Sequence, residues 1–262
     1  MKMTSKIACI ASAVLLSATA AFADQKGYDI MKEVSDFKRP AFSHTAVKMI
    51  LADKNGKGEE WGVEEYGKNE NDLTSVVMIF KTGSKKGTRF LQIENEGTKP
   101  DDKFIYLPSL KQSRRVNSSE GSKSFLGTDA TYDDLSSRDV DEDEHTYIKD
   151  EQKNGYDCYQ IREDPKDKSS SQYDYRITWI DKKTMYPIYT EMYKKGKLVK
   201  TLTVNKIEKR TGVTGVSYDI PMSTTLKDME TGHSTTMQIG QIEIDKKLDA
   251  RIFTQNFLNT GK

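Results

Sequence analysis

The sequence predicts an α+β fold that is mainly β. Apolar residues recur with period two along most of the chain, turn dipeptides separate those runs, and helical periodicity is confined to a few short stretches. Tyr175, Ile177 and Trp179 alternate with Asp174, Arg176 and Thr178, and Leu198, Leu202 and Val204 share one phase. Similar runs occur at Thr45 to Leu51, Trp61 to Tyr66, Leu73 to Thr82, Thr88 to Glu94, Phe104 to Leu107, Tyr156 to Arg162, Met185 to Tyr193 and Ser234 to Ile244. These are half-buried strands. Asn55-Gly56, Asn154-Gly155, Lys195-Gly196 and Thr231-Gly232 supply the turns between them.

The last run changes phase at Gly240: Met237 and Ile239 are two apart, whereas Ile242 and Ile244 are shifted by one residue. A β-bulge there would bend the strand and help a broad sheet curl, giving it a concave face. Helical patterns are limited to Tyr28 to Phe37, a turn around Tyr132 to Ser137, and Leu248 to Leu258, where Ile252, Phe253 and Phe257 cluster on one side. So few helices suit a covering role on a sheet and not an alternating α/β architecture.

The N-terminus joins Lys2 and Lys6 to an apolar stretch from Ile7 to Leu16 and ends in Ala21-Phe22-Ala23, the pattern of a cleavable secretory signal over residues 1–23. The apolar run is shorter than the roughly 20 residues of a spanning helix. Cys9 precedes most of that run, so it is not placed for lipid attachment. A periplasmic, unanchored mature chain of residues 24–262, folded as one domain, is expected.

Cleavage would leave 39 basic against 40 acidic residues, so no bulk field favours nucleic acid. Cys158 would be the one cysteine left, and stability must then come from packing without an intramolecular disulfide. A charged fraction of 31% is compatible with a folded sheet that has one solvated face.

Catalytic and metal chemistry is poorly represented. His44, His145 and His233 are scattered, with no cysteine or second histidine at metal-ligand spacing, and no G-x-S-x-G, P-loop or H-E-x-x-H pattern occurs. No metal, cofactor or catalytic residue is assigned. The acidic run Asp139 to Glu144 reads as a solvated loop, since it lacks the glycine and terminal glutamate of a calcium loop. Cys158, between Tyr156 and Tyr159 in a strand pattern, reads as a small buried side chain.

The most distinctive segment runs from Phe104 through Tyr106, Leu107 and Pro108 to Arg114 and Arg115, then through a serine-rich stretch to Phe125 and Leu126. Its functional reading is a flexible loop with Phe125 and Leu126 at the tip, gating a cavity, and with Arg114 or Arg115 reaching a head group or partner. A surface loop with ordinary surface arginines is the alternative. Tyr175, Ile177 and Trp179 share a strand face that would meet either helices or cargo.

Here the sequence resembles the LolA-like outer-membrane lipoprotein-sorting family, in the branch associated with exporters of the resistance-nodulation-division (RND) type. The resemblance is carried by Tyr106-Leu-Pro-Ser-Leu110, Arg114-Arg115, Ser124-Phe-Leu-Gly-Thr-Asp129 and Thr131-Tyr-Asp-Asp-Leu135. Downstream, Trp179-Ile-Asp-Lys-Lys-Thr184, Tyr186-Pro187, Gly196 to Leu202, Thr231 to Thr235 and Phe253 to Leu258 fit as well, so it covers roughly 42–258. It implies an incomplete β-barrel, a curved antiparallel sheet with helices as a lid over an apolar cavity. It also implies a monomeric carrier of a lipid or lipoprotein acyl chain that touches membranes transiently and works with an RND-type exporter. On that reading Tyr106, Leu107, Phe125, Leu126, Tyr175, Ile177 and Trp179 are candidates for cargo or gate contacts, and Arg114 and Arg115 for head-group, lid or partner contacts. Two other readings stay open: a cargo-free adaptor of an exporter, favoured if aromatic side chains fill the concave face, and a hydrolase, favoured if a serine or cysteine meets one of the histidines.

Overall fold

Strand alternation dictates the architecture. The computed structural model describes residues 24–97 and 99–262; the predicted signal lies outside them. Helix α1 (24–35) is followed by β1 (Phe42–Ala52), β2 (Gly58–Glu70), β3 (Leu73–Phe80), β4 (Arg89–Ile93), β5 (Asp102–Leu107) and β6 (Gln112–Arg115). After a long connection come β7 (Asp143–Lys153), β8 (Tyr156–Pro165), β9 (Tyr175–Asp181), β10 (Tyr186–Lys194), β11 (Lys197–Thr211), β12 (Ser217–Asp228) and β13 (Ser234–Ile244), then helix α2 (Gln255–Thr260). The strands form a thirteen-stranded antiparallel sheet of order β6-β5-β4-β3-β2-β1-β13-β12-β11-β10-β9-β8-β7, not closed into a barrel. This is the mainly β, open-sheet class that the sequence predicts.

The chain divides into two compact units, one of residues up to 37 together with 139–197, the other of 38–138 and 198–262. In the first, α1 lies against one face of β7–β9 and the turn that follows: Ile30, Met31 and Val34 pack with Ile161, Ile180, Tyr147, Tyr159 and Met185. Asn154 and Gly155 both take positive φ at the β7–β8 turn, the backbone a tight two-residue hairpin needs. Cys158 is fully buried, and burial pushes its thiol up to about 11, so it behaves as packing. The acidic run is not all loop. Asp143 opens β7 and is buried, with Arg176 at 3.9 Å, because the strand that follows carries its carboxylate inward.

In the second unit the two faces of the sheet are covered differently. The bulge falls where the phase shift puts it: Ala46 pairs with Gln241 and Val47 with Ile239, leaving Gly240 unpaired against β1. On one face Val47, Met49, Leu51, Trp61, Val63, Met78, Phe80, Phe90 and Ile105 lie under the connection 116–136, which contributes Val116, Phe125 and Tyr132. We call this connection the strap and this face the strap face. On the other, the helix face, Val77 and Leu91 meet Phe253 and Leu258 of the C-terminal segment. Thr254 caps α2 by accepting from the Phe257 N–H (3.2 Å), and Gly261 ends it at φ 73°.

Candidate functional site

The strap face is built by cross-strand register. Ile242, Thr45, Glu65, Met78, Phe90, Ile105 and Arg114 form one transverse row through β13, β1, β2, β3, β4, β5 and β6. Directly opposed residues share a face, so the row runs from an apolar centre to a cationic edge. The strap lays its own aromatic rings over that centre. Phe125 is only 1% exposed and meets Phe90 edge-on with ring centroids 4.9 Å apart; Tyr132 meets Phe125 at 5.6 Å. The expected loop tip is therefore corrected. Phe125 is a plug in the strap's underside, because the apolar row beneath it offers more burial than solvent does. Leu126, at φ 57°, turns the chain beside it and packs partly on the same cluster.

Polar bonds fasten the strap on both sides. Arg114 donates to both carboxylate oxygens of Glu120 (2.8 and 3.2 Å). Lys103 Nζ donates to Ser136 Oγ (2.6 Å), whose hydroxyl donates to Asp101 (2.6 Å), and Gln92 donates to the Leu135 carbonyl (3.0 Å). Burial pushes the Lys103 ammonium down and the Asp133 carboxyl up, and the charge of each opposes the other's shift. On the far side Lys200 Nζ meets Asp134 at 2.8 Å with both side chains largely buried, and His233 Nδ1 lies 2.8 Å from Asp129. Thr235 donates to the Asp129 carboxylate (2.7 Å) and accepts from its N–H (3.0 Å).

The sequence-predicted residues divide among several places. Leu107 joins the strap-face cluster, but Tyr106 lies on the helix face, its ring 4.0 Å from the Arg89 guanidinium. Adjacent positions on a strand must point apart, so the two do not line one site. The same rule separates Arg114, which holds the strap, from Arg115, which opposes Phe104 and pairs with Asp102. In the first unit, Tyr175 stacks on Tyr193 (4.5 Å) beneath Arg162, and Trp179 meets Tyr189 (5.3 Å) and donates to Glu151 (2.8 Å). Ile177 lies between them, opposite Arg162 and Glu191. Helix α1 takes the opposite face of these strands.

The histidines bond elsewhere than to a nucleophile: His44 to Glu64 (2.9 Å), His145 to the Val140 carbonyl (2.8 Å) and His233 to Asp129. His44 also stacks on Tyr66 at 4.4 Å and lines a helix-face groove of about 660 Å³ with Ala46, Gly62, Glu64, Lys81 and Glu243. Val47, Val63 and Ile242 line it as well, so charged and apolar side chains share the groove. Sequence reading missed Glu120, Lys200, Asp134, Asp129 and Thr235, whose pairing depends on long-range folding. It also missed Glu65, which carries a readable signal: it continues the Trp61 and Val63 phase with a charge where an apolar residue is due.

A protein-family model described as "uncharacterized protein" matches residues 72–260. No curated protein matches the chain. Among solved structures, a DUF1329 family protein from Desulfovibrio piger superposes with a TM-score of 0.82 at 24% identity, covering 90% of this chain and 99% of that one. A domain described as an outer membrane lipoprotein-sorting protein, from Vibrio parahaemolyticus, gives 0.81 at 26% identity, covering 90% and 99%. A LolA superfamily protein from Nitrosomonas europaea gives 0.65 at 16% identity, covering 88% and 98%. The chain thus has the fold of the lipoprotein-sorting and LolA-like group.

Proposed function

The chain belongs to the uncharacterized-protein family whose model spans residues 72–260, and we propose that it is a periplasmic carrier of acyl chains. On this reading residues 1–23 are removed on export, and the mature chain works as one monomeric protein. It shelters the acyl chain of a lipid or lipoprotein on the strap face once the strap has moved, and takes its cargo from an RND-type exporter during transient contact with a membrane. The observation that carries the reading is the strap itself, an apolar face covered by a segment whose fastenings at both margins are polar. Leaving an acyl chain in water costs about 0.8 kcal/mol per methylene, so an apolar face that can be uncovered supplies the binding energy and no catalytic group is needed. Arg114 acts in this scheme as a latch on Glu120, and Phe125 with Leu126 occupies the space that cargo would fill.

The aromatic filling of the strap face favours a second reading, a cargo-free adaptor that docks on an exporter. Native mass spectrometry of the mature protein purified without detergent separates the two. A stoichiometric lipid or acylated peptide is expected of a carrier. A clean apo mass together with no uptake of a fluorescent fatty-acyl probe would favour the adaptor. If Arg114 and Arg115 latch or contact cargo, the Arg114→Ala, Arg115→Ala double variant releases bound cargo faster; unchanged release would remove them from the mechanism.

A further inference from the structure

Glu65 and Thr45 stand opposite each other on β2 and β1, on the strap face. Their surroundings are apolar: Met78 opposes Glu65, Ile242 opposes Thr45, and Val63 and Val47 lie one step along each strand on the same side. Beyond Ile242 the surface continues as Ile239, Ile244, Met222, Ile220 and Tyr218. Thr45 is 4% exposed, and among the described residues its buried hydroxyl has no hydrogen-bond partner. Glu65 is half-buried beside it; among the described residues its carboxyl has no side-chain partner, and burial pushes it up to about 7. A buried hydroxyl without a partner is costly, and beside an unpaired half-buried carboxyl on an apolar face it calls for a missing partner.

We propose that Glu65 and Thr45 form an anchor for the primary ammonium head of an amphiphile whose chain lies along the neighbouring apolar surface. The inference rests on the carrier reading and deepens it by naming a head-group class. The carboxylate offers two acceptor oxygens and the hydroxyl a third, which matches the three N–H donors of a primary ammonium. A cation also relieves the carboxylate of the cost of carrying its charge alone among apolar groups. A fatty-acid head would be repelled, and an alkanol supplies one donor only.

The test uses the mature full-length protein at pH 8 and competition against a bound fluorescent acyl probe. The competitors are dodecylamine, dodecanol, dodecanoic acid and dodecyltrimethylammonium. The wild type is expected to bind dodecylamine at least tenfold more tightly than the alcohol or the acid, and more tightly than the trimethylated cation, which has no N–H to donate. Glu65→Gln should remove that preference while leaving the dodecanol affinity within about twofold, and Thr45→Val should reduce it severalfold. Equal affinity of the wild type for amine and alcohol would overturn the anchor and leave the carrier reading standing. A preference that survives in Glu65→Gln would overturn it too. Failure of every competitor to displace the probe, or of the probe to bind, would bring down both. The wild-type comparison decides the matter even if a variant does not fold.

Discussion

The strap and the C-terminal segment both cover apolar ground in the same unit, yet they are fastened by different chemistry. The C-terminal segment is held mainly by burial: Phe253 and Leu258 are buried against Val77 and Leu91, with the Arg89 and Ser113 bonds to Asn259 at its end. The strap places two aromatic rings on its face, but ion pairs and hydrogen bonds tie its margins: Arg114–Glu120, Lys200–Asp134 and His233–Asp129. Apolar covers come off only by exposing their whole contact area. Polar fastenings can be exchanged one by one for water or for a partner's charges, which is what a cover that opens requires.

The largest expected effect that would sharpen this contrast is global. Leu258→Ala, in the C-terminal segment, should lower unfolding stability by about 2–5 kcal/mol, measured by denaturant titration. Breaking the buried Lys200–Asp134 pair with Lys200→Ala should cost up to about 3 kcal/mol and act locally. Hydrogen exchange should then speed at strap amides such as Phe125, which bonds to the Ala130 carbonyl at 2.7 Å, while the amides of β3 and β4 keep their protection. Equal loss of protection in both places would break the comparison.

A third test uses two neighbours on β2. Burial raises Glu65 to about 7 on the strap face. On the helix face burial also pushes Glu64 up, but hydrogen bonds from Lys81, Tyr66 and His44 outweigh it and hold the carboxyl at about 2. Folded Glu65 holds its proton more tightly than unfolded Glu65, so its contribution is full below the ordinary glutamate pKa and is lost as pH rises through about 7. Glu65→Gln should therefore gain on the wild type between pH 5 and pH 8, by about 1–3 kcal/mol in thermal or denaturant melts. Glu64 has the opposite sign: its contribution is present above the ordinary glutamate pKa and is lost as pH falls toward about 2. The smallest effect is expected at the strap's exposed margin, where Arg114→Ala should change stability by under about 1 kcal/mol yet raise probe uptake if the strap must open. Unchanged uptake would mean that this pair is not a latch.

Much of the strand framework was readable. Period-two runs located ten of the strands, and the phase shift at Gly240 marked the bulge. The strands that escaped notice have local reasons. β7 is rich in charge because much of one face is solvated, β12 carries Pro221 in mid-strand, and β6 is four residues long with no apolar member. The candidate site was legible as a segment and illegible as an arrangement. Phe125 and Arg114 were singled out, but a flexible tip was expected where a plug is found. Tyr106 and Leu107 were grouped although strand alternation sends them to opposite faces.

The sequence by itself determined the kind of element at most positions, because side-chain alternation and turn chemistry act over a few residues. It also determined the family likeness, which is carried by short blocks in order. Only the tertiary structure decided what each face meets. The bonds of Lys200 to Asp134 and of His233 to Asp129, and the cross-strand juxtaposition of Thr45 with Glu65, join positions 20 to 104 residues apart. Strand register, set by the burial of whole rows at once, determines which distant residues become neighbours and which polar groups are left without one.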